Sequence, residues 1–120
     1  MARILVIDDE ASIRTMLQML EGSGHEVAVA AQGAEGLTLF GEHPVDLVIT
    51  DIFMPEKEGI ETILELRHQS PQTKIIAISG GGRAGNLDIS ATAKNLGAHQ
   101  TLAKPFARQE LLDAVNAVLA

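Results

Sequence analysis

The chain has 120 residues, 46% of them hydrophobic, and no cysteine. A single domain spanning residues 1–120 is expected, burying roughly two-thirds of its unfolded surface, with no disulfide framework and no thiolate metal site. The formal net charge is −7, nine basic residues being scattered among sixteen acidic ones. Nucleic-acid binding needs clustered Lys and Arg, and three phenylalanines make no stacking platform, so no nucleic-acid partner is expected.

The opening run from Ile4 to Ile7 is too short for a signal peptide, and no apolar stretch reaches the ~20 residues of a membrane span. The run is continuously apolar, as in a strand buried on both faces. Ile13, Met16, Leu17 and Leu20 then fall on one face of a helix, which Gly22 and Gly24 end. Val27 and Val29 alternate with smaller or polar neighbours, which predicts a half-exposed edge strand. Ala34, Leu37 and Phe40 mark a shorter helix closed near Gly41 and Pro44. Leu47-Val48-Ile49 is a third strand. Ile60, Ile63 and Leu64 repeat a helical face ahead of Pro71. Ile75 to Ile78 is a fourth strand. Ile89, Ala93 and Leu96 predict a fourth helix closed by Gly97. Thr101-Leu102-Ala103 is a short fifth strand, and Leu111, Leu112, Val115, Val118 and Leu119 mark a last helix.

Strands alternating with crossover helices imply an α/β fold, a parallel sheet with helices on both faces. The first, third and fourth runs look central and the second and fifth look like edges. That predicts a doubly wound, five-stranded sheet of order 2-1-3-4-5.

Open sheets of this kind bind ligands beyond the carboxyl ends of their strands, where strand order reverses. Asp8 and Asp9 follow the first strand, Asp51 the third, Ser79 ends the fourth, and Lys104 follows the fifth. Each has an ordinary explanation alone: a helix N-cap, a turn, a loop hydroxyl, a solvated lysine. Together they place three carboxylates, a hydroxyl and a cation at one sheet edge. Hard oxygen ligands suit Mg²⁺, which takes one or two carboxylates, waters and phosphate oxygens. A carboxylate can also attack phosphorus to form an aspartyl phosphate. Phosphoryl transfer needs mainly positioning and charge neutralisation, so this set of parts can accept a phosphoryl group.

The ordered set Asp8-Asp9, Asp51-Ile52-Phe53-Met54-Pro55, Ser79 and Lys104-Pro105-Phe106 resembles the receiver domains of response regulators, over Arg3 to Leu119. The resemblance implies a flavodoxin-like (βα)5 fold and a cytoplasmic signalling switch that is not an enzyme in the ordinary sense. By the same resemblance Asp51 is the phosphoacceptor. Asp8, Asp9 and Asp51, with the backbone carbonyl of Phe53, hold Mg²⁺. Ser79 is the hydroxyl that turns toward the phosphoryl group, and Lys104 contacts it. A histidine kinase or histidine phosphotransfer protein supplies the phosphoryl group, and a downstream output protein or domain reads the result. The sequence departs from the family pattern at Thr101, where an aromatic ring is usual. It departs again in the glycine-rich loop from Gly80 to Asn86, which this reading makes the main route of the signal. Phe53 and Gly81 offer no side-chain hydrogen bond to an attacking water, which predicts a long-lived aspartyl phosphate.

Other readings compete. Gly80, Gly82 and Gly85 satisfy G-x-G-x-x-G after a strand, the context of a nucleotide-binding enzyme. Yet they follow the fourth strand, no acidic strand end lies about 20 residues on, and the three aspartates stay unexplained. A hydrolase with an aspartate nucleophile usually shows Asp-x-Asp and a cap domain, and neither is present. A degenerate receiver acting only as an interaction module sits poorly with a full set of site residues. His25, His43, His68 and His99 fall in no phosphodonor motif and are read as surface or strand-flanking residues.

Overall fold

A computed structural model of the chain describes residues 2–8, 12–31, 33–43, 45–51, 58–79, 97–103 and 106–120, the side chains at 12–14, 33–34, 58–60, 79 and 103 excepted. In chain order the elements are β1 (Arg3–Ile7), α1 (Ser12–Gly22), β2 (Glu26–Ala30), α2 (Gly33–Glu42), β3 (Leu47–Asp51), α3 (Glu58–Gln69), β4 (Lys74–Ser79), β5 (Gln100–Ala103) and α4 (Arg108–Leu119). The helix expected around Ile89, Ala93 and Leu96 lies outside the described residues. The five strands form one parallel sheet of order β2-β1-β3-β4-β5, as the alternation of elements predicts.

The continuous apolar strands are explained by two cores. Successive strand residues point to opposite faces, so a strand covered on both sides must be apolar at every position. Ile4 and Val6 of β1, Leu47 and Ile49 of β3, and Ile76 and Ile78 of β4 face α1 and α4. There they pack with Met16, Leu20, Leu111, Ala114, Val115 and Val118. Leu5, Ile7, Val48, Ile75 and Ala77 face the other way, onto Phe40 of α2 and Ile63 and Leu66 of α3. The edge strand β2 keeps Val29 38% exposed, consistent with its half-exposed pattern.

One expected helical face is phased differently. Ile63 of α3 is fully buried, but Leu64 is 47% exposed, and Thr62 and Leu66 turn inward instead. At about 100° per residue Thr62, Leu66 and Ile63 share one stripe about 100° wide, and Leu64 falls about 100° beyond its edge. Helix ends follow local chemistry. Gly24, just past α1, takes φ +92°, and its N–H donates to the Glu21 carbonyl at 3.0 Å. The Glu110 carboxylate accepts the Ala107 N–H at 2.8 Å at the start of α4, where a negative charge also suits the helix dipole.

Candidate functional site at the carboxyl edge of the sheet

Strand order reverses between β1 and β3, because β1 connects onward to β2 on one side while β3 lies on its other side. Asp8 and Asp51 stand at this point. Asp51 is the last residue of β3 and is 3% exposed; Asp8 directly follows β1 and is fully buried. The Asp8 N–H donates to the Ala30 carbonyl at 3.1 Å, which carries the β1–β2 ladder one residue past the strand end. Ile7 pairs with Thr50 in the β1–β3 register. One step on, Asp8 therefore lies beside Asp51, with neighbouring strands about 4.8 Å apart. The two-residue period continues Val6 into Asp8 and Ile49 into Asp51, so both carboxylates occupy the sheet face that carries α1 and α4.

The register brings the next expected residue close as well. Asp51 pairs with Ile78, so Ser79 ends β4 one residue further out. Ser79 pairs with Ala103, the last residue of β5, and Lys104 follows in sequence. Thr50, which no sequence motif singles out, is also fully buried, its hydroxyl 3.4 Å from the Asp51 carbonyl. Of the residues expected to form the site, the structure thus brings Asp8, Asp51 and the backbone of Ser79 together. Asp9, Phe53, Lys104 and the loop from Gly80 to Asn86 lie outside the described residues.

Two carboxylates buried on adjacent strand ends form a hard, anionic donor set. Taking such charges out of water is costly unless cations or hydrogen bonds compensate. Oxygen donors on neighbouring strands suit Mg²⁺. Among the described residues no three His, Cys, Asp or Glu side chains form a ligand cluster; the third acid expected here, Asp9, falls outside them. Two cavities, of about 390 and 620 Å³, open elsewhere. One lies beside Arg3, Glu26 and His43, the other beside His25, Asp46 and Lys74, and neither is lined by Asp8 or Asp51. No described helix is long and apolar enough to cross a membrane.

Comparison with known proteins agrees with this fold. The family model of the response regulator receiver domain matches residues 4–116. The chemotaxis protein CheY of Bacillus subtilis (strain 168) is 36% identical over 119 residues, covering 98% of this chain and 97% of CheY. The transcriptional regulatory protein CpxR of Klebsiella pneumoniae is 38% identical over 120 residues, covering 99% of this chain but 50% of CpxR. The chain thus spans about half the length of that curated relative. A crystal structure of a response regulator receiver domain protein from Clostridium thermocellum matches with a TM-score of 0.90 at 37% identity, covering 99% of this chain and 94% of that one. With a parallel 2-1-3-4-5 sheet, buried aspartates at its switch point and these relatives, the chain belongs to the receiver domain family of two-component response regulators.

Proposed function

We propose that Asp51 accepts a phosphoryl group from a histidine kinase or histidine phosphotransfer protein, and that the resulting charge biases two conformations of the fold toward one that an output protein or domain reads. The observation that supports this reading is the burial of Asp8 and Asp51 side by side at the switch point of the sheet. In the transfer, an Asp51 carboxylate oxygen attacks phosphorus, the bond from phosphorus to the donor's imidazole nitrogen breaks, and an acyl phosphate forms. The donor imidazole leaves with the electron pair.

Asp8, Asp9, Asp51 and the Phe53 carbonyl would hold Mg²⁺, which supplies charge neutralisation for the incoming phosphoryl oxygens. Burial of Asp51 excludes bulk water from its carboxylate and holds it at one position, which is most of what phosphoryl transfer asks of a protein. Ser79, at the end of β4, would donate its hydroxyl to the new phosphoryl group, and Lys104 would offset its charge. Both act on a charge that exists only after transfer, so they bias the switched state over the resting one.

Incubation with acetyl phosphate and Mg²⁺, followed by intact-protein mass spectrometry, tests the proposal. The wild type is expected to gain one acid- and base-labile phosphoryl group, and Asp51→Asn none. Mg²⁺ is expected to raise the melting temperature of the unphosphorylated protein, since a cation that binds the native state alone stabilises it. Phosphoryl transfer to the Asp51→Asn protein would overturn the assignment.

A further inference from the structure

The start of β5 is fastened to β4 by a side chain. β5 is a four-residue strand at the edge of the sheet, with β4 as its sheet neighbour among the described residues, and its ladder begins at the pair Ile76–Gln100. One residue earlier a side chain replaces one of the two backbone bonds of the ladder. The His99 N–H donates to the Ile75 carbonyl at 2.7 Å, and the Ile75 N–H donates to Nδ1 of the same His99 at 3.1 Å. The chain enters β5 through Gly97 at φ +134°, and the imidazole supplies the acceptor that a strand reaching further back would have offered from its backbone. Ile75 is fully buried, so with the imidazole in place its N–H is closed off from solvent, and water reaches that group only once the imidazole moves aside.

An imidazole accepts at Nδ1 only when neutral, with its proton on Nε2; once protonated, both nitrogens are donors. We propose that His99 is an acid-sensitive clasp, which as a neutral imidazole fastens the start of β5 to β4 and on protonation releases it. Protonation would set the Nδ1–H against the Ile75 N–H, donor to donor, beside a buried backbone group.

The surroundings oppose the cation. Burial lowers the His99 pKa from its ordinary value, and the charges of Lys74 on β4 and Arg67 on α3 lower it further; accepting the Ile75 N–H also favours the neutral ring, and only a ring N–H turned to donate to the Ile75 backbone would work the other way. Among the described residues those two cations are the charged groups acting on His99. The folded-state value thus lies below the unfolded one. The clasp's contribution is complete above the ordinary histidine value of about 6.5 and is lost as pH falls through and below it. At the opposite edge another imidazole nitrogen accepts a backbone N–H beside the start of a strand. The Ala2 N–H, just ahead of β1, donates to Nδ1 of His25 at 3.1 Å beside the Glu26 N–H to Ala2 carbonyl bond at 2.9 Å.

The clasp bears on function through β5, which ends at Ala103, opposite Ser79 and directly before Lys104. That consequence rests on the function proposed above; the clasp itself does not.

The test compares wild type with His99→Asn, whose side-chain oxygen can take the acceptor position without titrating. Amide exchange at Ile75 is measured relative to Val48, in mid-sheet, and corrected for the intrinsic pH dependence. Between about pH 7.5 and about pH 5.5, wild-type protection at Ile75 is expected to fall roughly three- to tenfold, the worth of one neutral hydrogen bond. In His99→Asn the ratio is expected to stay within about twofold. An equal fall in both proteins, or none in the wild type, overturns the proposal. Imidazole ¹⁵N shifts of the wild type give an independent reading should the variant fail to fold: a neutral His99 with its proton on Nδ1 also overturns it. The same loss at Ile75 is expected in Asp51→Asn, so failure of the clasp and failure of the phosphoacceptor assignment are separable.

Discussion

Gly36 of α2 is the point where a single methyl group should disturb both the core and the site. A Cβ placed there would sit 2.4 Å from Cδ1 and 2.8 Å from Cγ1 of Ile7. Ile7 is fully buried among Leu5, Ala30, Phe40 and Val48, and its branched Cβ leaves χ1 little freedom, so it has nowhere to withdraw. Overpacking of this kind costs about 1–3 kcal/mol, against which Gly36→Ala recovers about 1 kcal/mol of helix propensity. The expected net loss is up to about 2 kcal/mol, or up to roughly 10 °C in melting temperature for a domain of this size. Gly41 provides the matched control, because it lies in the same helix with open space around its would-be Cβ. Gly41→Ala should be neutral or stabilising by up to about 1 kcal/mol.

Urea unfolding of the two variants, with unchanged m-values, gives the difference directly. Ile7→Val removes Cδ1, the atom at the shorter distance, and in the double variant with Gly36→Ala it should restore at least half of the loss despite its own cost of about 0.5–1.5 kcal/mol. Ile7 directly precedes Asp8, so if Mg²⁺ stabilises the fold as proposed, Gly36→Ala should also weaken that stabilisation while Gly41→Ala leaves it unchanged. Equal stability of the two alanine variants would refute the packing argument.

Two further outcomes follow from local geometry. Gly97→Ala should lose roughly 1–3 kcal/mol in a thermal melt, because φ +134° is strained for any side chain and the new Cβ would press on Cγ and Cδ of Arg67 at 2.6 and 2.7 Å; a wild-type melting temperature would show that the backbone relaxes there at no cost. Glu26→Gln should change stability by no more than about 0.5 kcal/mol, since its ion pair with Arg3, though 3.1 Å long, joins side chains 65% and 59% exposed; a loss above about 1 kcal/mol in urea would contradict that valuation.

The sequence alone carries the order and type of the described elements. A strand covered on both faces must be apolar throughout, and a helix covered on one side must repeat every three or four residues. Ile4–Ile7 and Met16–Leu20 therefore announce themselves without knowledge of their neighbours. The location of the candidate site was legible for a related reason. In a doubly wound sheet the functional groups follow the strands, so the positions of Asp8, Asp51 and Ser79 can be read once the strands are located. Only the tertiary structure decides how distant segments meet. The register Ile7–Thr50 sets Asp8 beside Asp51, and no local pattern encodes a register between residues 43 positions apart. The phase of α3, which turns Leu64 out and Thr62 in, depends on which stripe the sheet covers. Gly36 reads as an ordinary weak helix residue until Ile7 is seen against it. His99 reads as one more strand-flanking histidine until the Ile75 N–H is found pointing at its ring. In each case the determining contact joins residues far apart in sequence, and its geometry exists only after the chain has folded.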